Sequence, residues 1–242
     1  MFCMNCGQQL PDGAKFCMNC GLPVGAVSPT GDNQSNTAVS GIHNYQVGDE
    51  ISFGILNGQS NTWKILRLQE RLALVICSTY ICEMPFQQTS VNNPNDISFY
   101  KFRINTTWGD CTLRKWLNQD FIYGYFSQSE RERILPYEVN NVGCGPTTDK
   151  VFLLNIREVL TLLPDEQSRA IGTHWWLREP GYPSTNSILH NIADFDSAGV
   201  DKSKPEYSIY AGVFDSGAVD ACGYIAHGKS AVRPAMWIRL DP

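Results

Sequence analysis

Cys3-x2-Cys6 and Cys17-x2-Cys20 are the residues whose type and spacing most directly specify chemistry. Two thiol pairs separated by ten residues close one tetrahedral S4 shell. Zinc suits such a shell, with thiolates at about 2.3 Å, and four protein ligands leave no open position for substrate water, so the ion is structural. Gly7 and Gly21 follow the second cysteine of each pair, where a residue without Cβ lets the chain turn and aim amide donors at sulfur. Phe2-Cys-Met-Asn-Cys-Gly7 recurs letter for letter as Phe16-Cys-Met-Asn-Cys-Gly21, so each copy is one metal-binding knuckle. A unit this small has no hydrophobic core to fold on; zinc supplies on the order of 10–16 kcal/mol in comparable peptides. The same thiolates also suit iron, in a rubredoxin-like or iron–sulfur site, or a redox dithiol pair.

The other chemistry-bearing residues are less ordered in sequence. Cys77, Cys82, Cys111, Cys144 and Cys222 bring the total to nine. An odd, irregular set disfavours a disulfide framework and favours a reducing compartment, here the cytoplasm. Cys222 with His174, His190 and His227 has the residue types of a second metal site or of a thiol nucleophile and its base, but no spacing specifies either, and no catalytic residue is assigned. Arg178 and Arg233 stand beside tryptophans and suit either an anionic ligand or a buried carboxylate. Trp175 and Trp176 are adjacent in a strand-like run, so they point to opposite faces, and both read as core. Gly143-Cys-Gly-Pro-Thr-Thr-Asp149 lacks the Gly-Lys-Ser/Thr ending of a phosphate loop and precedes a strand, so it reads as a tight structural loop. Tyr182, Tyr207, Tyr210 and Tyr224 are set among Ser, Asn, Asp and Gly, the chemistry of a paratope: rigid contact area beside adaptable hydrogen bonds. With Arg178, these four are the expected ligand contacts.

The elements that must position them emerge from composition and pattern. The 242 residues are 43% hydrophobic and 11% aromatic, enough to bury one sizeable core. A net charge of −5 without any lysine or arginine run argues against nucleic-acid partners. No stretch approaches the roughly 18 apolar residues of a membrane span, and the chain opens on a cysteine knuckle instead of a charged-then-apolar signal. Residues 23–44 are rich in Gly, Ser, Thr, Asn, Pro and Ala and read as a flexible linker.

From Tyr45 onward periodicity returns. Glu50 to Gly54, Thr62 to Leu68 and Leu72 to Cys77 read as an antiparallel meander with an Asn-Gly turn. Leu113, Trp116, Leu117 and Phe121 recur at helical spacing, with Asp110 as the expected N-cap. Ser127-Gln-Ser-Glu130 is a capping box for a helix through Ile134, stopped by Pro136. Val151 to Leu154 reads as a buried strand, and Asn155-Ile-Arg-Glu158 opens a short helix to Leu163. Strand-like pieces follow at Thr173 to Leu177, Ser187 to Ala193, Tyr207 to Phe214 and Ala231 to Leu240, between long loops. Residues 45–242 are therefore expected to form one α+β domain.

Two resemblances extend this reading. Residues 1–22 resemble the short zinc ribbons found at the N-termini of many bacterial proteins. Thr106-Thr-Trp, Leu113-Arg-Lys-Trp-Leu-Asn118, the Gly143 to Leu154 segment, Trp175-Trp-Leu-Arg178 and Val232-Arg-Pro-Ala-Met-Trp-Ile238 resemble an uncharacterised bacterial domain family across roughly residues 45–240. The Trp-Trp strand, loop-rich last third and closing Val-Arg strand are also similar to the C-type-lectin-like fold of formylglycine-generating enzymes and retroelement variable proteins. That likeness implies a C-type-lectin-like domain behind a zinc ribbon. Val232-Arg233 stands where those enzymes have Gly-Phe-Arg, and their paired copper-binding cysteines have no counterpart beyond Cys222. Glu179-Pro180 is followed by Gly181, so the calcium signature of sugar-binding lectins is absent too. The expectation is a non-catalytic module that contacts a protein or other ligand through its C-terminal loops. The alternatives are a formylglycine-generating-like or Cys–His thiol enzyme and a scaffold acting through the ribbon.

The metal reading is tested directly: the purified chain should carry one zinc by atomic spectroscopy, and Cys3→Ser or Cys17→Ser should lose it. The far-UV spectrum and melting of the domain after Tyr45 should be unchanged, and its cooperative unfolding on chelation would refute the two-unit organisation.

Overall fold

Alternating β-branched and polar residues after Asp49 form a three-stranded meander, β1 (Glu50–Leu56), β2 (Gln59–Gln69) and β3 (Leu72–Cys77). Asn57 and Gly58 both have positive φ, 51° and 78°, as a two-residue hairpin turn requires. The computed structural model describes residues 44–88, 104–183, 188–197 and 203–240. The paired cysteines Cys3, Cys6, Cys17 and Cys20 and the expected linker up to Ile42 lie outside those residues.

β4 (Cys82–Pro85) precedes one long helix in three registers: α1 (Thr112–Trp116), a π-helical turn (Leu117–Phe121) and α2 (Ile122–Tyr125). Leu113, Leu117 and Phe121 are fully buried. Trp116, expected at the centre of that face, is only half-buried and packs at its rim against Phe121 and Tyr125, with ring centroids at 5.5 and 6.5 Å. The N-cap is Cys111, not Asp110: its Sγ accepts the Arg114 amide at 3.4 Å, while Asp110 takes the Thr107 hydroxyl at 3.1 Å. α3 (Gln128–Arg133) carries the expected capping box from Ser127 and Glu130. The other oxygen of Glu130 accepts the Gly54 amide at 2.8 Å, tying the helix to β1. α3 stops one residue short of Ile134, because Ile134–Leu135 becomes β5 by pairing with the closing strand.

β6 (Tyr137–Val139) and β7 (Thr147–Asp149) form a small ribbon. β8 (Val151–Phe152) is shorter than expected. Asn155 and Glu158 box the start of α4 (Ile156–Leu162), and α5 (Glu166–Arg169) follows. β9 (Trp175–Gly181) is buried throughout. The strand expected at Ser187 to Ala193 reduces to β10 (Ile188–Leu189), followed by α6 (Ile192–Ser197). Asn191 accounts for the change, since its side chain accepts the Asp194 amide at 3.0 Å and starts a helix. β11 (Glu206–Val213), β12 (Val219–Ile225), β13 (Lys229–Val232) and β14 (Ala235–Arg239) complete the chain.

Two sheets result, in the orders β1-β2-β3-β14-β5, with β8 also on β14, and β10-β12-β11-β9-β13-β4. The architecture is mixed α+β, mostly strand. β3 pairs with β14 in the first sheet and β4 with β13 in the second, both antiparallel. The Cys77 amide donates to Pro234 O at 2.9 Å and the Ile81 amide to Val232 O at 3.0 Å. A single double strand, bent once, thus serves both sheets.

Phe121→Ala should lower stability by about 3–5 kcal/mol in a urea titration, since it empties a fully enclosed ring site. Lys115→Ala, on the exposed face, should stay within about 0.5 kcal/mol of the parent.

Candidate functional site

Five residues were expected to face a ligand, and burial places three of them in the interior. Arg178 is 3% exposed and forms a double contact with Glu158, at 2.5 and 2.8 Å, plus a bond to Leu153 O at 2.7 Å. Tyr182, 1% exposed, donates to Glu179 at 2.5 Å. Tyr210 stacks on Phe86 with centroids 3.5 Å apart and donates to Thr106 O at 2.8 Å. A hydroxyl that enters the core needs such a partner, and both tyrosines have one, so these two and Arg178 bind the protein to itself. Tyr207 is half-buried, its ring so close to Gly143 that a Cβ there would sit 2.1 Å from Cε1.

Tyr224 is different, at 43% exposed. It lies on β12, a strand that Cys222 and Gly223 obscure in the sequence, and its ring rests on Trp176 and His174 with centroids at 6.0 and 6.1 Å. His174 also meets Trp176 and Phe214 at 5.9 and 5.8 Å. Gly228 lets the Tyr224 ring lie down, since a Cβ there would be 2.1 Å from its Cε1. β9, β11, β12 and β13 thus position a histidine among three aromatic rings, one of them open to solvent.

Ser230 lies 2.5 Å from His174 Nδ1 and donates to His174 O at 2.8 Å. The hydroxyl has one proton, so with that proton on the carbonyl the imidazole donates from Nδ1 and Ser230 is not activated as a nucleophile. Burial pushes His174 below the usual histidine range, against the opposing pull of Asp220 and Asp215. The arrangement is a preformed, largely apolar platform with a neutral imidazole beneath it.

The described cysteines are all free. Burial pushes the Cys111 thiol up to about 12, and burial with the neighbouring Glu83 pushes Cys82 up to about 11, which leaves little thiolate at neutral pH. Cys222 is partly exposed, its amide held by Asp220 Oδ1 at 3.0 Å. Of the bases considered for it, His190 sits against Glu166 at 2.5 Å and His227 is buried. Among the described residues no group of three or more His, Cys, Asp and Glu is placed to hold a metal ion.

The sequence motifs themselves form a buried polar scaffold. Asp149, 1% exposed, accepts Trp108 Nε1 at 2.8 Å, Thr147 Oγ1 at 2.8 Å and Arg114 Nε at 2.7 Å. Asn118 accepts the Lys150 and Val151 amides at 2.8 and 3.1 Å and donates to Val151 O and Arg114 O at 2.8 and 3.1 Å. All four hydrogen-bonding positions of that amide are filled. Arg233 donates to Cys77 O, Arg169 O and Ser78 O.

Residues 76–240 match the family model described as Domain of unknown function (DUF6273), and residues 2–24 match that of a zinc-ribbon domain. Comparison with curated proteins and with solved structures finds no match. The motifs quoted from Thr106 to Ile238 all fall within the first match.

Between Glu158 and Glu179 lies one cation, Arg178. Burial raises the Glu158 carboxyl, but Arg178, the Asn155 amide and Arg67 together outweigh it and hold the group below the usual range. Burial pushes Glu179 up, only partly offset by Tyr182, the Ile156 amide and Arg178. With a folded pKa above the unfolded one, the unfolded chain ionises first, so stability is lost as pH rises through the folded pKa. Glu179→Gln keeps an acceptor for Ile156 and removes that loss. Its melting temperature relative to the parent should therefore rise from about pH 4 to about pH 8, as followed by calorimetry.

Proposed function

The chain belongs to the family described as Domain of unknown function (DUF6273), behind a zinc-ribbon domain, and from there we propose that it is a non-catalytic binding module. Its larger domain, residues 45–242, is C-type-lectin-like. The fully buried Trp175-Trp176 strand and the closing strand in the interior of the first sheet support that assignment. Cys3, Cys6, Cys17 and Cys20 hold one structural zinc, which the four-thiolate donor set fits, and residues 23–44 tether the ribbon that docks or mediates assembly. The free thiols suit a reducing cytoplasm.

One observation carries the reading: the Tyr224 ring is presented to solvent on a bed of Trp176 and His174 that is already packed. An aromatic anchor whose position is set before binding loses little conformational freedom when a partner covers it. The contact is with a protein or other ligand seated at Tyr224 on β12.

Affinity capture with quantitative mass spectrometry tests this. Partners held by the full chain should persist with Cys222→Ala and fall at least about tenfold with Tyr224→Ala, the scale of one anchor residue. Rapid, selective iodoacetamide labelling of Cys222 at neutral pH, with loss of a turnover activity in Cys222→Ala, would overturn the reading in favour of a thiol enzyme.

A further inference from the structure

A second concave site lies away from the Tyr224 platform, between the π-helical turn, α3 and the β7–β8 connection. Its volume is about 310 Å³, room for about ten waters at ~30 Å³ each or for one small organic molecule. Ile122 and Tyr123 form one wall, Arg131 and Glu132 another, and Lys150 closes it. The charges do not cancel. Glu132 is engaged by Gln128 Nε2 at 3.2 Å, while the Arg131 guanidinium bonds Phe126 O at 2.6 Å and lies 5.1 Å from the Tyr123 ring centroid. Lys150 Nζ has one long hydrogen bond, 3.5 Å, to Arg131 O. Lys150 is half-buried as a residue, and an ammonium with one long hydrogen bond has donors to spare for an anion.

The backbone holds that cation in place. Asn118 accepts both the Lys150 and Val151 amides, so the residue carrying the ammonium is fixed to the helix that forms the opposite wall. The π-helical turn Leu117–Phe121 offsets α2 from α1 by the extra residue of each wider ring, a distortion found frequently at functional sites. Tyr123, 72% exposed, is left at the mouth, with Arg131 over one face of its ring and the rest of that ring open to an aromatic ligand. We propose that this cleft binds a small aromatic anion, its charged group on Lys150 and its ring against Tyr123 and Arg131. The site shares no residue with the Tyr224 platform.

Calorimetric titration of the full chain with phenyl phosphate, benzoate and inorganic phosphate tests the assignment. At least one aromatic anion should bind saturably with Kd of about 1 mM or tighter, more weakly as salt screens the cation. Stronger binding of phenyl phosphate assigns a phosphate ligand, stronger binding of benzoate a carboxylate. Lys150→Met should weaken the preferred anion at least about tenfold with melting unchanged, and Tyr123→Ala, on the surface, should weaken it severalfold without touching the fold. Tyr224→Ala should bind like the parent, which separates failure here from failure of the platform. Absence of saturable binding by both aromatic anions, inorganic phosphate binding as tightly as they do, or indifference to Lys150→Met and Tyr123→Ala would each overturn the proposal.

Discussion

The two sheets are joined where a buried guanidinium replaces strand pairing. At the bend of the shared double strand the ladder between β3 and β14 ends and that between β4 and β13 has yet to begin, so carbonyls at Cys77 and Ser78 turn away from any strand partner. Arg233, 2% exposed, donates to both, at 2.9 and 3.4 Å, and to Arg169 O at 3.1 Å, with its plane 5.0 Å above the Trp175 ring. Burial lowers its pKa to about 10, so it stays charged at neutral pH. Lysine has no planar fork to reach three carbonyls while lying on an indole. Arg169 extends the device: 0% exposed, it donates to Gly217 O, Leu163 O and His190 O. Two cations in series thus tie the ends of α4, α5 and β10 to the crossing.

The same economy governs the other buried ions. Asp149 gathers an indole, a hydroxyl and a guanidinium, and Arg178 serves Glu158 while Glu179 shelters beside a tyrosine and a helix amide. Each charge sits where backbone or side-chain donors converge, the condition under which burial of an ion is tolerated. The residues that make the sequence recognisable are therefore largely those that hold the frame. The surface chemistry belongs to their neighbours: Lys150 follows Asp149 and lines the cleft beside α3, and Tyr224 stands on a strand that carries none of the quoted motifs.

What was legible in the sequence followed from local physics. The Asn-Gly hairpin and the capping boxes at Ser127 and Asn155 depend on contacts within a few residues and formed where expected; Trp175 and Trp176 are both core, as expected, although distant groups, Arg233 and Met84 O, hold them. The misses have other causes. Asp110 takes the Thr107 hydroxyl, and the Cys111 sulfur, which donates to Trp108 O, accepts the Arg114 amide as cap in its place. The paratope-like tyrosines share one composition, yet Tyr210 meets Phe86, a pairing that no local pattern encodes, and Tyr182 turns back on Glu179 three residues earlier. β12 escaped notice because Gly223, with φ of 90°, and its polar neighbours interrupt the alternation on which a strand is recognised. The His174 nest rests on that strand and was equally hidden.

The place of β14 has a consequence for how the molecule comes into being. It is the last strand of the described residues, yet it sits in the interior of the first sheet, with β3 on one side and β5 and β8 on the other. While the polypeptide is still emerging from the ribosome, the meander has an unfilled edge and an uncovered apolar face until residues 235–239 have cleared the exit tunnel. Native contacts between segments some 160 positions apart (Leu74 with Trp237, for one) must then form late, and such non-local pairing, whose loop entropy is lost before its contacts are gained, makes closure of the sheet slow.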